Sequence, residues 1–89
     1  MRRAARRDNA EPAIVAALVR LGCHVLPISS PGAPDLLVGW RSRTYLLEVK
    51  TGRGKRTPLQ EQLAGLWNGG PLVLVRTVDE ALRAVGAMR

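Results

Sequence analysis

Three side chains near the middle of the chain are of types that do chemistry together. Asp35 opens an apolar segment over 35–40, and Glu48 and Lys50 stand two apart in a second one over 44–51. Side chains alternate across a strand, so Glu48 and Lys50 project to one face while Leu47 and Val49 project to the other. A hairpin loop of two or four residues sets Asp35 directly opposite Glu48 or Lys50, on that same face; a three-residue loop requires a bulge to restore this. Two carboxylates in close approach repel unless a proton or cation intervenes, and Lys50 supplies a single positive charge. A hard divalent cation makes up the deficit, and all-oxygen ligation without His or Cys selects Mg²⁺ or Mn²⁺ over zinc. Beside a basic surface, such a cation suits a phosphodiester. It can ligate a non-bridging oxygen and acidify a bound water, with Lys50 orienting that water or offsetting charge in the transition state. The simpler alternative is a salt bridge from Lys50 to one carboxylate on a solvated sheet edge. That accounts for one acid but not both, nor for their apolar neighbours.

The elements that must position these groups follow from local pattern. Asp8 or Asn9 followed by Glu11 and Pro12 predicts a helix start, with Glu11 at the third position of a capping box. Ile14, Val15, Leu18 and Leu21 then recur at helical spacing up to Gly22. Residues 23–29 are strand-prone apart from Pro27, whose missing N–H calls for an edge strand or a bulge. Residues 30–33 form a turn, and segments 35–40 and 44–51 an antiparallel hairpin. Gly52 to Arg56 is a glycine-punctuated basic loop. Thr57, Pro58 and Gln60 predict a second capping box opening a helix, whose apolar face carries Leu59, Leu63, Leu66 and Trp67 and which stops at Asn68, Gly69 and Gly70. The run 71–77 reads as a strand covered on both faces. Thr77 and Glu80 frame a last helix lined by Ala81, Leu82 and Val85. The predicted order is α-β-β-β-α-β-α.

Composition bounds what this frame can be. At 89 residues the chain has room for one small domain, over 8–89, preceded by a basic arm over 1–7 carrying Arg2, Arg3, Arg6 and Arg7. The interior has no Phe to draw on, so Leu, Val, Ile and Ala must build it, and a second copy of the chain would supplement so thin a core. Fourteen Lys and Arg against seven Asp and Glu leave a formal charge of +7, which favours a polyanionic partner. The excess gathers in the arm, at Arg41 and Arg43, and at Arg53, Lys55 and Arg56, and phosphate contact accounts for the three clusters better than solubility does. The lone Cys23 has no disulfide partner and no neighbour at metal-ligand spacing, so it reads as a small core residue of a reducing compartment. With His24 the only histidine, mechanisms that need two imidazoles are excluded. The apolar run 13–19 is too short to span a bilayer and no signal peptide is evident, so a cytoplasmic protein with no membrane role and no small-molecule cofactor is expected.

With these residues in view, "PD" followed by "EVK" resembles the PD-(D/E)XK nuclease superfamily. More narrowly, the chain resembles the virus-type replication-repair nuclease (VRR-NUC) domain. The likeness rests on a helix with an early Glu, then "GAPDLLVG", "LLEVKTGRGKRTPLQEQ" and "GGPLVLVRTVDEAL", and runs from about residue 9 to residue 82. It implies a restriction-endonuclease-like α/β core, with a mixed central sheet flanked by helices. It further implies a metal held by Asp35, Glu48 and the main-chain carbonyl of Val49, with Lys50 the catalytic lysine. Glu11 matches a first-helix acid that helps hold the metal, and Gln60 the glutamine that follows the ExK strand; each also has its capping role to explain it. Stand-alone members resemble dimeric resolvases of branched DNA found in phage and bacterial genomes, which implies a homodimeric, structure-selective DNA endonuclease acting on substrates such as four-way junctions. Without an appended DNA-binding domain, Arg41, Arg43, Arg53, Lys55, Arg56 and the arm must grip the substrate. Two other classes remain open: a non-catalytic nucleic-acid-binding module that keeps the fold, and a small assembly or inhibitor protein that uses its charge on an acidic partner.

Overall fold

The computed structural model describes residues 9–88, so the basic arm and Asp8 lie outside the described residues. Helix α1 spans Glu11–Leu21 and buries Ile14 and Leu18 completely. Its N-cap is Ala10, in the right-handed helical region and without a side-chain cap bond. Of the two expected cap residues Asp8 lies outside the described residues, and the cap position is taken by Ala10 rather than Asn9. Glu11 is instead the first helical residue, where its charge complements the helix dipole, and Pro12 follows in the first turn, where a missing N–H goes unnoticed. Gly22 ends the helix at φ 111°, a left-handed conformation that L side chains resist.

Strands β1 (His24–Pro27), β2 (Leu36–Trp40) and β3 (Arg43–Val49) run as an antiparallel meander. Helix α2 (Pro58–Leu66) then crosses to β4 (Leu72–Val75), which lies parallel to β3, and α3 (Val78–Ala84) follows. The element order is the one read from the sequence, and the fold is α/β with a mixed four-stranded sheet in the order β1-β2-β3-β4. Pro27 lies on an edge strand, where no second neighbour needs its missing donor.

Alternation divides the sheet into two unlike faces. On one, Leu36, Val38, Tyr45, Leu47, Val49 and Val75 join Ile14 and Leu18 of α1 and Ala81 of α3 in the single buried cluster. On the other, Leu37, Leu46, Leu72 and Leu74 are only half-buried and Leu26 is 48% exposed. One expectation is corrected here. The strand in segment 71–77 is not covered on both faces: it forms the edge opposite β1, and only Val75 is buried. The apolar face of α2 is likewise largely exposed, with Leu59, Leu66 and Trp67 55%, 74% and 42% exposed and Gln60 the helix's only buried residue. The cause is shared. Helices α1 and α3 pack on one face, whereas the nine residues of α2 touch the sheet sparsely. What pins α2 is the turn before β2: a Cβ on Gly32 would come within 3.0 Å of the Leu59 Cβ. No helix among the described residues is long and apolar enough to cross a membrane.

Candidate functional site

The hairpin between β2 and β3 closes through two residues, Arg41 and Ser42, both at positive φ (52° and 64°), and pairs Trp40 with Arg43. That register carries down the ladder to Leu36 against Leu47. The paired register ends there, and beyond it Asp35 is held by two further bonds rather than by a regular pairing with Glu48. The Asp35 N–H donates to the Leu47 carbonyl at 3.0 Å, and the Val49 N–H donates to Asp35 Oδ2 at 2.7 Å. The Asp35 carboxylate is thereby held against the backbone that carries Glu48, Val49 and Lys50.

Glu48 is fully buried. Its Oε1 accepts a charge-assisted hydrogen bond from Arg56 Nε at 2.5 Å, while its Oε2 is buried without a partner among the described residues. Arg56 also reaches the exposed Glu61 carboxylate, with Nη1 3.7 Å from Oε1. The cation on Glu48 is thus Arg56, and no ion pair joins Lys50 to Glu48 among the described residues, so the simple lysine salt bridge is not the arrangement adopted. Lys50 is half-buried; its N–H bonds to the Val75 carbonyl at 3.1 Å, and its stem lies beside Gly54.

The remaining candidates divide. Glu11 is buried at the head of α1, yet no three His, Cys, Asp or Glu side chains among the described residues are grouped to hold a metal ion, so Glu11 does not join Asp35 and Glu48 in one cage. Gln60 is buried and committed to its capping box: Oε1 accepts from the Thr57 N–H at 2.9 Å and its own N–H donates to Thr57 Oγ1 at 3.1 Å. Arg53 and Lys55 are exposed, whereas Arg56 from the same loop turns inward to Glu48. Arg41 and Arg43 are exposed at the far end of the hairpin, about 17 Å from Glu48 at roughly 3.3 Å per strand residue.

Arg76 escaped the sequence reading. Its Nη1 donates to the carbonyls of Gly52 and Gly54 at 2.7 and 2.8 Å and fixes the basic loop, a role that no spacing advertises. The Arg76 N–H itself donates to Glu80 Oε1 at 2.7 Å, so the α3 capping box is shifted by one residue from the expected Thr77 pairing, although the Glu80 N–H does bond Thr77 Oγ1 at 3.1 Å. The loop is tied on its other side by the Ala10 N–H, which donates to Thr51 Oγ1 at 3.3 Å.

The groups at this end of β3 fit a hard divalent cation. Asp35, Glu48 and the Val49 carbonyl offer oxygen only, and an unpartnered buried carboxylate oxygen is the donor such an ion seeks. No family model matches the chain, no curated protein matches it, and no solved structure matches its fold.

Proposed function

We propose that the chain is a Mg²⁺- or Mn²⁺-dependent DNA endonuclease of the PD-(D/E)XK type, homodimeric and selective for branched DNA, acting in the cytoplasm. The observation that carries this reading is Glu48, a wholly buried carboxylate with one oxygen left without a partner, next in sequence to Val49, whose N–H holds the Asp35 carboxylate. An unsatisfied buried oxygen costs about 1–3 kcal/mol, which a purely structural site would be expected to shed. Asp35, Glu48 and the Val49 carbonyl would hold the ion, which supplies Lewis acidity toward a phosphate oxygen and a more acidic water. Lys50 stands on the Glu48 face of β3 and is free of a carboxylate partner in the described structure, so its ammonium can orient that water or meet charge that develops on phosphate. Exposed Arg53 and Lys55 offer phosphate contacts beside the site. The mixed sheet and the element order support the fold assignment. The unburied leucines of the second sheet face and of α2 support a second copy as their cover.

One observation favours a different reading. Arg56 already neutralises Glu48, as in a binding module that keeps the fold without turnover. The two are separated by incubating branched, flapped and linear DNA with either metal and with wild type, Asp35→Ala and Lys50→Ala proteins. The nuclease reading expects metal-dependent cutting by wild type alone, with DNA binding kept in all three; binding without cutting in any metal selects the module.

A further inference from the structure

We infer that Arg56 is the resident counterion of the cation site: its guanidinium occupies Glu48 until a divalent ion displaces it, so that Arg56 sets the metal affinity. The inference rests on the metal-site reading above and goes beyond it, because Arg56 belonged by sequence to the loop that grips phosphate.

The geometry is that of a competitor rather than a fixed structural partner. Arg56 engages only one oxygen of Glu48, through Nε, and leaves Oε2 buried and unpartnered. A structural pairing would be expected to use the guanidinium fork on both carboxylate oxygens. The head group instead extends outward, with Nη1 3.7 Å from exposed Glu61, and 24% of the Arg56 side chain is in contact with solvent. Arg56 therefore has a second partner and water to move to, while Glu48 has neither. It also sits in a segment of irregular backbone between β3 and α2, where a side chain can withdraw without breaking a helix or a ladder. Glu48 cannot stay buried and charged alone, so one cation or the other must be present. The order of events follows: arginine while the ion is absent, the ion when it is supplied, with Arg56 then released among Arg53 and Lys55.

Competition has a measurable signature. If the binding-competent state is the fraction with Arg56 off Glu48, the apparent affinity is reduced by that fraction, and removing the competitor restores it. For a charge-assisted bond of ordinary strength the gain is on the order of tenfold.

The test is calorimetric titration of Mn²⁺ into DNA-free protein, comparing wild type, Arg56→Gln, Arg56→Lys and, as a control for net charge, Arg53→Gln. Arg56→Gln should bind one ion about tenfold more tightly. Arg56→Lys should fall between it and wild type, and Arg53→Gln should change affinity less than twofold. In parallel, Arg56→Gln should melt lower than wild type without metal but gain more from saturating Mn²⁺, because the ligand now stabilises a state that no internal cation competes for. Binding by Arg56→Gln where wild type shows none supports the inference most strongly. Equal or weaker binding by a folded Arg56→Gln protein, with wild type binding normally, overturns it and leaves the metal site standing. Absence of binding in every variant overturns the metal site itself.

Discussion

Replacing Glu48 with methionine separates a residue kept for chemistry from one kept for the fold. Glu48→Met preserves length and approximate volume while removing a charge from a position with no solvent access. Three contributions decide the sign. Loss of the orphaned Oε2 removes a penalty of about 1–3 kcal/mol. Loss of the Arg56 bond forfeits about 1.5–3 kcal/mol at most, reduced because the guanidinium is part-exposed and retains Glu61 and water as partners. Burial of the methionine thioether among half-buried leucines adds a favourable transfer term, and exchange of a buried ion pair for a well-packed apolar residue is in general neutral or stabilising by about 1–4 kcal/mol. The net expectation is a metal-free protein more stable by about 1 kcal/mol, a rise of roughly 4–8 °C in Tm for a domain of this size, with cleavage abolished. The assay is thermal unfolding in chelator beside cleavage in Mn²⁺. A Tm lowered by more than a few degrees would mean that the Glu48–Arg56 pair holds the fold together, and the argument from an unsatisfied carboxylate to a cation site would fail.

Three further outcomes follow from the same structure. Leu66 is 74% exposed on α2, so Leu66→Asp should leave the protomer folded yet halve the mass seen by light scattering if the uncovered leucines pair two copies; a wild-type monomer at every concentration refutes the dimer. Neutralising Arg53 and Lys55 together should flatten the slope of log affinity against log salt by about 1.8, at about 0.9 per phosphate contact, and an unchanged slope means the loop faces away from DNA. Burial raises the Cys23 thiol above its usual range, so the folded state favours the neutral form. The stability this contributes is fully present below the ordinary thiol pKa and is lost as pH rises through the raised one. Wild type should therefore lose Tm at alkaline pH, and that part of the loss should be absent in Cys23→Ser; equal alkaline slopes would contradict it.

What the sequence made legible was local. Alternation along 44–51 gave the face shared by Glu48 and Lys50, and the rule that opposed residues share a face narrowed Asp35 to two partners. The turn itself was not legible, because nothing in Trp40, Arg41, Ser42 and Arg43 announces a two-residue loop at positive φ. Gln60 was legible as a capping residue, and the structure displays both bonds of its capping box with Thr57. Arg56 and Arg76 were opaque for another reason: their partners lie eight residues away across a loop and on a separate strand connection, distances that periodicity does not encode. The exposed face of β4 was misread because an apolar pattern says that a surface is to be covered, not that the same chain covers it.

The turn itself is where the reading of local strain leads furthest. Type I′ geometry asks for positive φ at both central positions and is met most easily by Asn-Gly, yet this chain places Arg41 and Ser42 there. Each non-glycine residue in the left-handed region costs about 1–2 kcal/mol. Only a small part returns through the guanidinium of Arg41, 4.3 Å from the centre of the Trp40 ring, since an exposed cation–π contact contributes about 0.5–1 kcal/mol. A persistent strained cation at an exposed tip points to a task for the cation. Because the tip stands about 17 Å from Glu48 along β3, the proposed nuclease would use it for grip rather than chemistry, on phosphates some five base pairs from the cleaved one at about 3.4 Å each. Arg41→Asn with Ser42→Gly should therefore raise Tm by roughly 4–8 °C for about 1 kcal/mol gained. It should also weaken DNA binding, reduce the salt slope by about 0.9, and leave the cleavage rate at saturating DNA unchanged. A variant that melts higher with its salt slope intact would show that Arg41 never meets a phosphate, and a variant that melts no higher would show that the turn stores no strain for the arginine to justify.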